Sequence, residues 1–208
     1  MLISTDVSGL KRAVRAIKNG DLVAFPTDTY FALGADGLNS KAVESVFTTK
    51  GRNSVTPVPL LVSDSKMAES LCTGFPDPLR KLADRFWPGA LTIVLPVSDA
   101  VPAVVSANTG TVGVRVPDHD IARKLIDLTG GPITGTSCNL TGQEPSKTAI
   151  VVEQIFGDTI AGCVNAPCAG STAPSTVVSY DNGEIVLLRS GAIDAESIQN
   201  IVGDIVAN

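Results

Sequence analysis

Residues 22–52 constrain the fold of this chain more than any other stretch. Leu22-Val23-Ala24-Phe25 is a short apolar run, and such a run reads as a buried strand. Pro26 stops it, and Thr27, Asp28 and Thr29 follow with three small side chains rich in hydrogen-bonding groups. Gly34 and Gly37 read as points where the backbone can turn. Asn39-Ser40 has the form of a helix N-cap, with Val43, Val46 and Phe47 on one face of the helix that follows. Lys50 and Arg52 end that helix, where cations suit the negative end of its dipole. A strand, a hydroxyl-rich turn, a helix and two cations can cradle an anionic ligand. A capped turn and a solvated basic helix end are the plainer account of the same residues.

The rest of the chain repeats the alternation of strand and helix. Residues 8–19 fit an amphipathic helix with Leu10, Val14 and Ile17 inward and Gly20 just beyond its end. Residues 58–62 are a second buried strand. Residues 65–72 and 78–86 read as helices, the latter begun by Asp77 as cap with Pro78 in its first turn. Trp87-Pro88-Gly89 breaks that helix, and strands follow at 91–95 and at 112–116, where Arg115 sits among apolar neighbours. A helix over 118–128 ends at Gly130-Gly131. A strand over 133–136 runs into Ser137-Cys138-Asn139, and 147–156 is helical. Asp181-Asn182-Gly183, between strands at 176–180 and 184–189, is a type I′ hairpin signal. A helix over 195–202 comes last. The pattern predicts one α/β domain over residues 1–208, with a twisted mixed parallel/antiparallel sheet and flanking helices. Residues 165–174, rich in Gly, Ala, Pro and Ser, read as a mobile lid inside it.

Composition narrows the function classes. Of the 208 residues 44% are hydrophobic and 18% charged, which excludes wholesale disorder. The net charge of −5 leaves no basic nucleic-acid footprint at the scale of the whole chain. Lys11, Arg12, Arg15 and Lys18 fall at helical spacing near the N-terminus, the pattern of neither a signal peptide nor a membrane span. Cys72, Cys138, Cys163 and Cys168 form no CxxC pair, and the one histidine, His119, follows Pro117-Asp118 as a helix-start residue. Little is left for a zinc site or a Ser-His or Cys-His pair. Reduced thiols fit a cytoplasmic protein without membrane association.

Neither a GxxxxGK[ST] loop nor a GxGxxG fingerprint occurs, so a nucleotide site here must be built differently. The prominent polar residues fall at the ends of predicted elements: Thr29, Lys50, Arg52, Arg115, Ser137, Asn139, Ser175 and Arg189. Arg115 and Arg189 interrupt or end strongly apolar strands. Burying a guanidinium without an anion is costly, so each faces a cleft or ligand, or pairs with an acidic neighbour. Ser137 and Asn139 either meet a ligand or cap a turn.

Several of these residues lie in ordered motifs. The run FPTDTYFALGA, residues 25–35, resembles the PTDTVYGLGA signature of the YrdC-like threonylcarbamoyl-AMP synthases. Lys50-Gly51-Arg52 resembles their KxR element and Ser137-Cys138-Asn139 their SxN element. The segments at 86–92, 112–117, 174–178 and 188–193 match in the same order, so the resemblance covers roughly residues 8–193. It points to the short, single-domain form. Two positions depart from the pattern. The run after Arg52 continues Asn53-Ser54-Val55-Thr56-Pro57, with Thr56 where the family tends to carry Lys or Asn. The family's Tyr-Gly pair is Phe31-Ala32, with a tyrosine displaced to Tyr30.

The resemblance implies an α/β twisted sheet around a large concave cavity. It also implies that L-threonine, bicarbonate and ATP with Mg²⁺ are joined into threonylcarbamoyl-adenylate and pyrophosphate. Partner proteins, the tRNA threonylcarbamoyltransferases, would then move the group onto the adenosine next to the anticodon of tRNAs reading ANN codons, with only weak or transient tRNA binding by this acidic chain. Carried over position by position, Thr29, Gly135, Ser175 and Thr111 would hold threonine. Arg52, Thr56, Ser137, Pro145, Arg189 and Arg115 would surround ATP. Lys50, Arg52, Ser137 and Asn139, the two short signatures, form the implied catalytic set. The competing reading is a YrdC-like RNA- or nucleotide-binding module without synthase activity, which retention of Ser137 and Asn139 disfavours. A carbamoyl-transferring module of hydrogenase maturation would bring acylphosphatase and zinc-finger segments that this sequence does not contain.

Overall fold

The computed structural model describes residues 1–51, 56–171 and 173–207. In chain order the described elements are β1 (Leu2–Ile3), α1 (Val7–Lys18), β2 (Val23–Pro26), β3 (Phe31–Gly34), α2 (Ser40–Lys50), β4 (Leu60–Leu61), α3 (Ser65–Ser70), α4 (Asp77–Phe86), β5 (Leu91–Pro96), α5 (Ala103–Ser106), β6 (Thr111–Arg115), α6 (Asp120–Thr129), β7 (Ile133–Thr134), β8 (Thr136–Ser137), α7 (Ala149–Phe156), β9 (Gly162–Val164), β10 (Thr176–Asp181), β11 (Glu184–Arg189), α8 (Ala195–Val202) and β12 (Ile205–Ala207). The strands pair in both senses, as the alternation predicts, but in two sheets instead of one. The smaller runs β1-β9-β2-β3-β8 and the larger β12-β11-β10-β5-β6-β4-β7.

The smaller sheet is covered on both faces. Val23 and Phe25 of β2 pack with Leu10, Ala13 and Ile17 of α1 and with Leu125 and Ile126 of α6. Ala24 and the β3 residues Phe31 and Leu33 pack instead with Val46 of α2 and with Val152 and Phe156 of α7. This double burial is why residues 22–25 are apolar without alternation. Each large aliphatic or aromatic side chain fully removed from water stabilises the fold by about 1.5–3 kcal/mol.

The larger sheet alternates instead. Leu91, Ile93 and Leu95 of β5, Val112 and Val114 of β6 and Val178 of β10 point into one core, with Leu79 and Leu82 of α4 and Ile198 of α8. The residues between them point the other way, a consequence of the two-residue strand period.

The strand predicted over 133–136 is two strands in different sheets. Chain direction changes allegiance at Gly135, where a Cβ would come 2.7 Å from Leu61 Cγ. Thr134, fully buried, ties the sheets together: its hydroxyl donates to Leu33 O and accepts from Ala35 N, both at 2.9 Å. Gly34 and Gly37 do not mark turns through left-handed backbone. Gly34 lies inside β3, and a Cβ there would sit 2.5 Å from the Phe25 ring. Both glycines are needed for close approach.

Other boundaries shift for local reasons. The apolar stretch 58–62 pairs as strand only at β4. Pro76, not Asp77, occupies the N-cap position of α4, and Asp77 is its first helical residue. Asn39 caps α2 as expected, its side chain accepting from the backbone of Lys41 and Ala42. The hairpin is also as expected: Asn182 (φ 50°) and Gly183 (φ 91°) both take positive φ. No described helix is long and apolar enough to cross a membrane.

Candidate active site

The polar face of the larger sheet and the edge of the smaller one enclose a cavity of about 530 Å³. Its floor is the off-core set of the alternating strands: Thr92 and Val94 of β5, Thr111, Gly113 and Arg115 of β6, and Ser175 and Val177 leading into and along β10. The opposite wall comes from the β2–β3 turn and from Gly135, Thr136 and Ser137, where the chain crosses between sheets. A volume of this size lies within the range of small-molecule clefts, roughly 300–1,000 Å³.

Two arginines are the charged residues of the described lining. Arg115 is 6% exposed and held at every nitrogen. Its Nε donates to Gly89 O at 2.9 Å, its Nη1 to Thr29 Oγ1 at 3.2 Å, and its Nη2 to Asp28 Oδ1 at 2.5 Å. It therefore faces the cavity and is also half of a buried ion pair. Burial pushes the guanidinium below its ordinary pKa, Asp28 opposes that, and the nearby charge of Arg189 adds to the depression.

Arg189 reaches the cavity through an irregularity. Val178 pairs with Leu187 and Val177 with Arg189, so Leu188 is an extra residue in β11. Strict alternation would turn Arg189 to the same side as Leu187, into the core. The bulge turns it to the cavity beside Leu188, as bulges commonly re-aim a side chain. Its Nε and Nη2 donate to Ser175 O at 3.2 and 2.7 Å, and Nη2 also to Ser175 Oγ at 2.9 Å. Among the described residues no carboxylate pairs with it. Desolvation still lowers its pKa.

Neutral hydroxyls surround these cations. Thr27 Oγ1 lies 3.1 Å from Thr29 Oγ1 and donates to Tyr30 O at 2.7 Å, and Thr92 Oγ1 lies 2.9 Å from Ser175 Oγ. Of the predicted site residues, Thr29, Thr111, Arg115, Gly135, Ser137, Pro145, Ser175 and Arg189 come together on this lining. Arg52 lies outside the described residues. Thr56 is exposed and outside the lining.

Lys50 is neither a solvated helix end nor a cavity cation. It is 4% exposed, and its ammonium donates to Asn139 O at 2.7 Å, to Asn139 Oδ1 at 3.2 Å and to Ser137 O. Asn139 in turn accepts from Ser137 Oγ at 2.6 Å and donates to Leu140 O and Gln143 O. The two short signatures thus meet as a buried bracket behind the wall, which fixes Ser137 and the segment leading to Pro145.

Residues 165–171, read as part of a mobile lid, are tied down. Ala169 N donates to Thr27 O and Ser171 N to Asp28 O, each at 3.1 Å. Lys147 donates to Ser171 O at 2.9 Å while lying 5.2 Å over the Tyr30 ring. His119, at the N-cap position of α6, meets Pro167 O through Nε2 at 3.0 Å, away from the lining. Burial raises the thiol pKa of Cys138, and that of Cys163 is pushed up to about 12. Neither buried thiol is a ready nucleophile. Sequence reasoning missed Thr92 and the carboxylate of Asp28. A lone threonine between Leu91 and Ile93 was the available signal for the first.

Fold and cavity define an α/β protein with two mixed sheets and a hydroxyl-lined cleft that carries two guanidinium groups. The chain belongs to the Sua5/YciO/YrdC family, whose model, described as telomere recombination, matches residues 15–191. It is 37% identical over 196 residues to a threonylcarbamoyl-AMP synthase of Pyrococcus abyssi, covering 94% of this chain and 58% of the relative. It is 38% identical over 205 residues to the threonylcarbamoyl-AMP synthase of Bacillus subtilis, covering 98% of this chain and 59% of the relative. The crystal structure of P. abyssi Sua5 complexed with L-threonine superposes with a TM-score of 0.96 at 35% identity, over 100% of this chain and 62% of that one. The chain thus spans about three fifths of the length of these relatives.

Proposed function

We propose that this chain is an L-threonylcarbamoyladenylate synthase, a nucleotidyltransferase acting on L-threonine, bicarbonate and ATP. The observation that carries the reading is the convergence of Arg189, without a carboxylate partner among the described residues, and the hydroxyls of Thr29 and Ser175 on one cavity. An amino acid offers a carboxylate and an amine, and ATP offers a triphosphate. A cleft that pairs a guanidinium with hydroxyls suits both. The P. abyssi relative crystallised with L-threonine supports the same ligand here.

In this reading the threonine amine and bicarbonate give a carbamate and water. A carbamate oxygen then attacks the α-phosphate and pyrophosphate leaves, so no side chain acts as a covalent nucleophile. Thr29, Thr111, Gly135 and Ser175 position threonine. Arg115, Arg189, Ser137 and Pro145 surround ATP, together with Arg52. Negative charge grows on the phosphates as the bond to the leaving group breaks. Preorganised guanidinium and hydroxyl donors stabilise that charge, and positioning supplies most of the rest. Lys50 and Asn139 act through Ser137 as positioning residues. Thr56 has no part in this set. Among the described residues no three histidine, cysteine or carboxylate groups converge on a metal position. Magnesium would enter with ATP as MgATP and would offset part of the triphosphate charge.

The adenylate then passes by encounter to a tRNA threonylcarbamoyltransferase, in the cytoplasm, for tRNAs reading ANN codons. Direct tRNA binding is weak and salt-sensitive, because an acidic chain offers few cations to phosphates. The deciding experiment incubates the chain with ATP, L-threonine and bicarbonate and follows pyrophosphate. Release should require both threonine and bicarbonate; turnover of ATP that is indifferent to threonine defeats the assignment.

A further inference from the structure

Asp28 belongs to none of the ligand sets above and is absent from the cavity lining. It is 7% exposed, and one oxygen of its carboxylate takes two donors. Oδ1 accepts from Arg115 Nη2 at 2.5 Å and from Asp118 N at 3.2 Å. Its carbonyl accepts from Ser171 N at 3.1 Å, so the same residue anchors the 165–171 strap. Both guanidiniums line the one cavity, and the charge of Arg189 helps to lower the pKa of Arg115. Without Asp28 the described lining would carry two net positive charges; with it, one.

We propose that Asp28 is a positioning residue that holds Arg115 against the cavity wall and cancels its charge, so that the described cavity works with the single net charge of Arg189. This inference rests on the nucleotide reading above and deepens it. The physical reason is product release. Both products, an adenylate and pyrophosphate, are anions, and each further uncompensated guanidinium in the cavity would slow their departure. A neutralised guanidinium still donates directed hydrogen bonds. Arg115 spends one N–H on Gly89, one on Thr29 and one on Asp28, leaving two of its five donors for a ligand.

The test is Asp28→Asn, which keeps the shape and both accepted hydrogen bonds but removes the charge. Pyrophosphate and ATP binding are measured by calorimetry, and kcat and KM by pyrophosphate release. At low salt Asp28→Asn should bind pyrophosphate about tenfold tighter, as one extra charge at a separation beyond direct contact allows. The gain should shrink as salt is added. KM for ATP should fall, and kcat should fall with it. Pyrophosphate affinity that is unchanged or weaker in folded Asp28→Asn overturns the proposal. If Asp28→Asn does not fold, Asp28→Glu decides: the same charge one methylene longer should leave pyrophosphate affinity as it is and lower kcat several-fold, and an unchanged kcat overturns the proposal. A natural chain that binds neither ATP nor pyrophosphate defeats the nucleotide reading and this proposal together. Binding by the natural chain with no gain in Asp28→Asn defeats this proposal alone.

Discussion

Replacing Lys50 by Met separates a scaffold cation from a ligand-binding one. The thioether side chain keeps the stem in place between α2 and the 137–143 segment and deletes only the ammonium. Three acceptors then lose the ammonium: Ser137 O, Asn139 O and Asn139 Oδ1. Asn139 Oδ1 keeps Ser137 Oγ as a donor and Ser137 O keeps Asn139 N, so the carbonyl of Asn139 carries most of the cost. A hydrogen bond to a charged group is worth about 1.5–3 kcal/mol, and the relief of desolvating a buried ammonium offsets part of that. The balance is a loss of about 1–2 kcal/mol. For a domain of this length each kcal/mol moves Tm by about 2–4 °C, so Tm should fall by about 2–8 °C. Thermal unfolding followed by circular dichroism measures it, and Lys50→Arg, which overfills the same space, should not restore it. Activity should fall mainly through kcat, because Ser137 is displaced while the cavity cations stay. A Tm within about 1 °C of the natural chain, with activity lost, would refute the scaffold role and put the ammonium on a ligand.

Two further outcomes follow from the same structure. Arg189→Gln should leave Tm within about 1–2 °C, since the residue is exposed to an open cleft, while raising KM for ATP at least tenfold, as the loss of a charge-assisted phosphate contact implies; a normal KM in steady-state kinetics defeats the bulge-placed cation. Stability should decline above about pH 9, because the unfolded chain ionises Cys163 there while burial keeps the folded thiol protonated until about pH 12. The sign is that of a raised folded pKa, with full stability below the unfolded value and progressive loss above it. Denaturant titrations between pH 8 and 11 should show this slope, flattened in Cys163→Ala.

Local chemistry made much of the chain legible. Asn39 caps α2 because its side chain competes for backbone N–H groups, and Asn182-Gly183 turns a hairpin because both residues tolerate positive φ. Those preferences act over three or four residues and need no partner. The apolar run at 22–25 reads as a buried strand, while its burial on both faces comes from the helices that pack on either side. Several elements did not announce themselves. The strands β1, β9 and β12 have two or three residues each and exist only because neighbours supply their hydrogen bonds. The 133–136 run could not reveal that it changes sheets, since Gly135 is chosen by Leu61, more than seventy residues earlier in the sequence.

The candidate site divides along the same line. Its residue types and motif order stand in the sequence: Thr29, Ser137, Ser175 and two arginines in apolar strands. Their partners do not. Whether a buried cation is free or compensated depends on what folding brings beside it. Arg115 meets Asp28 from the β2–β3 turn and stays half of a pair. Lys50 meets the carbonyls of Ser137 and Asn139 and becomes scaffold. Arg189 is carried by one extra residue in β11 to the polar face. Side-chain identity is a property of the chain, but charge compensation and the facing of a strand are set by long-range pairing, so only the tertiary structure decides which cation is left to meet a ligand.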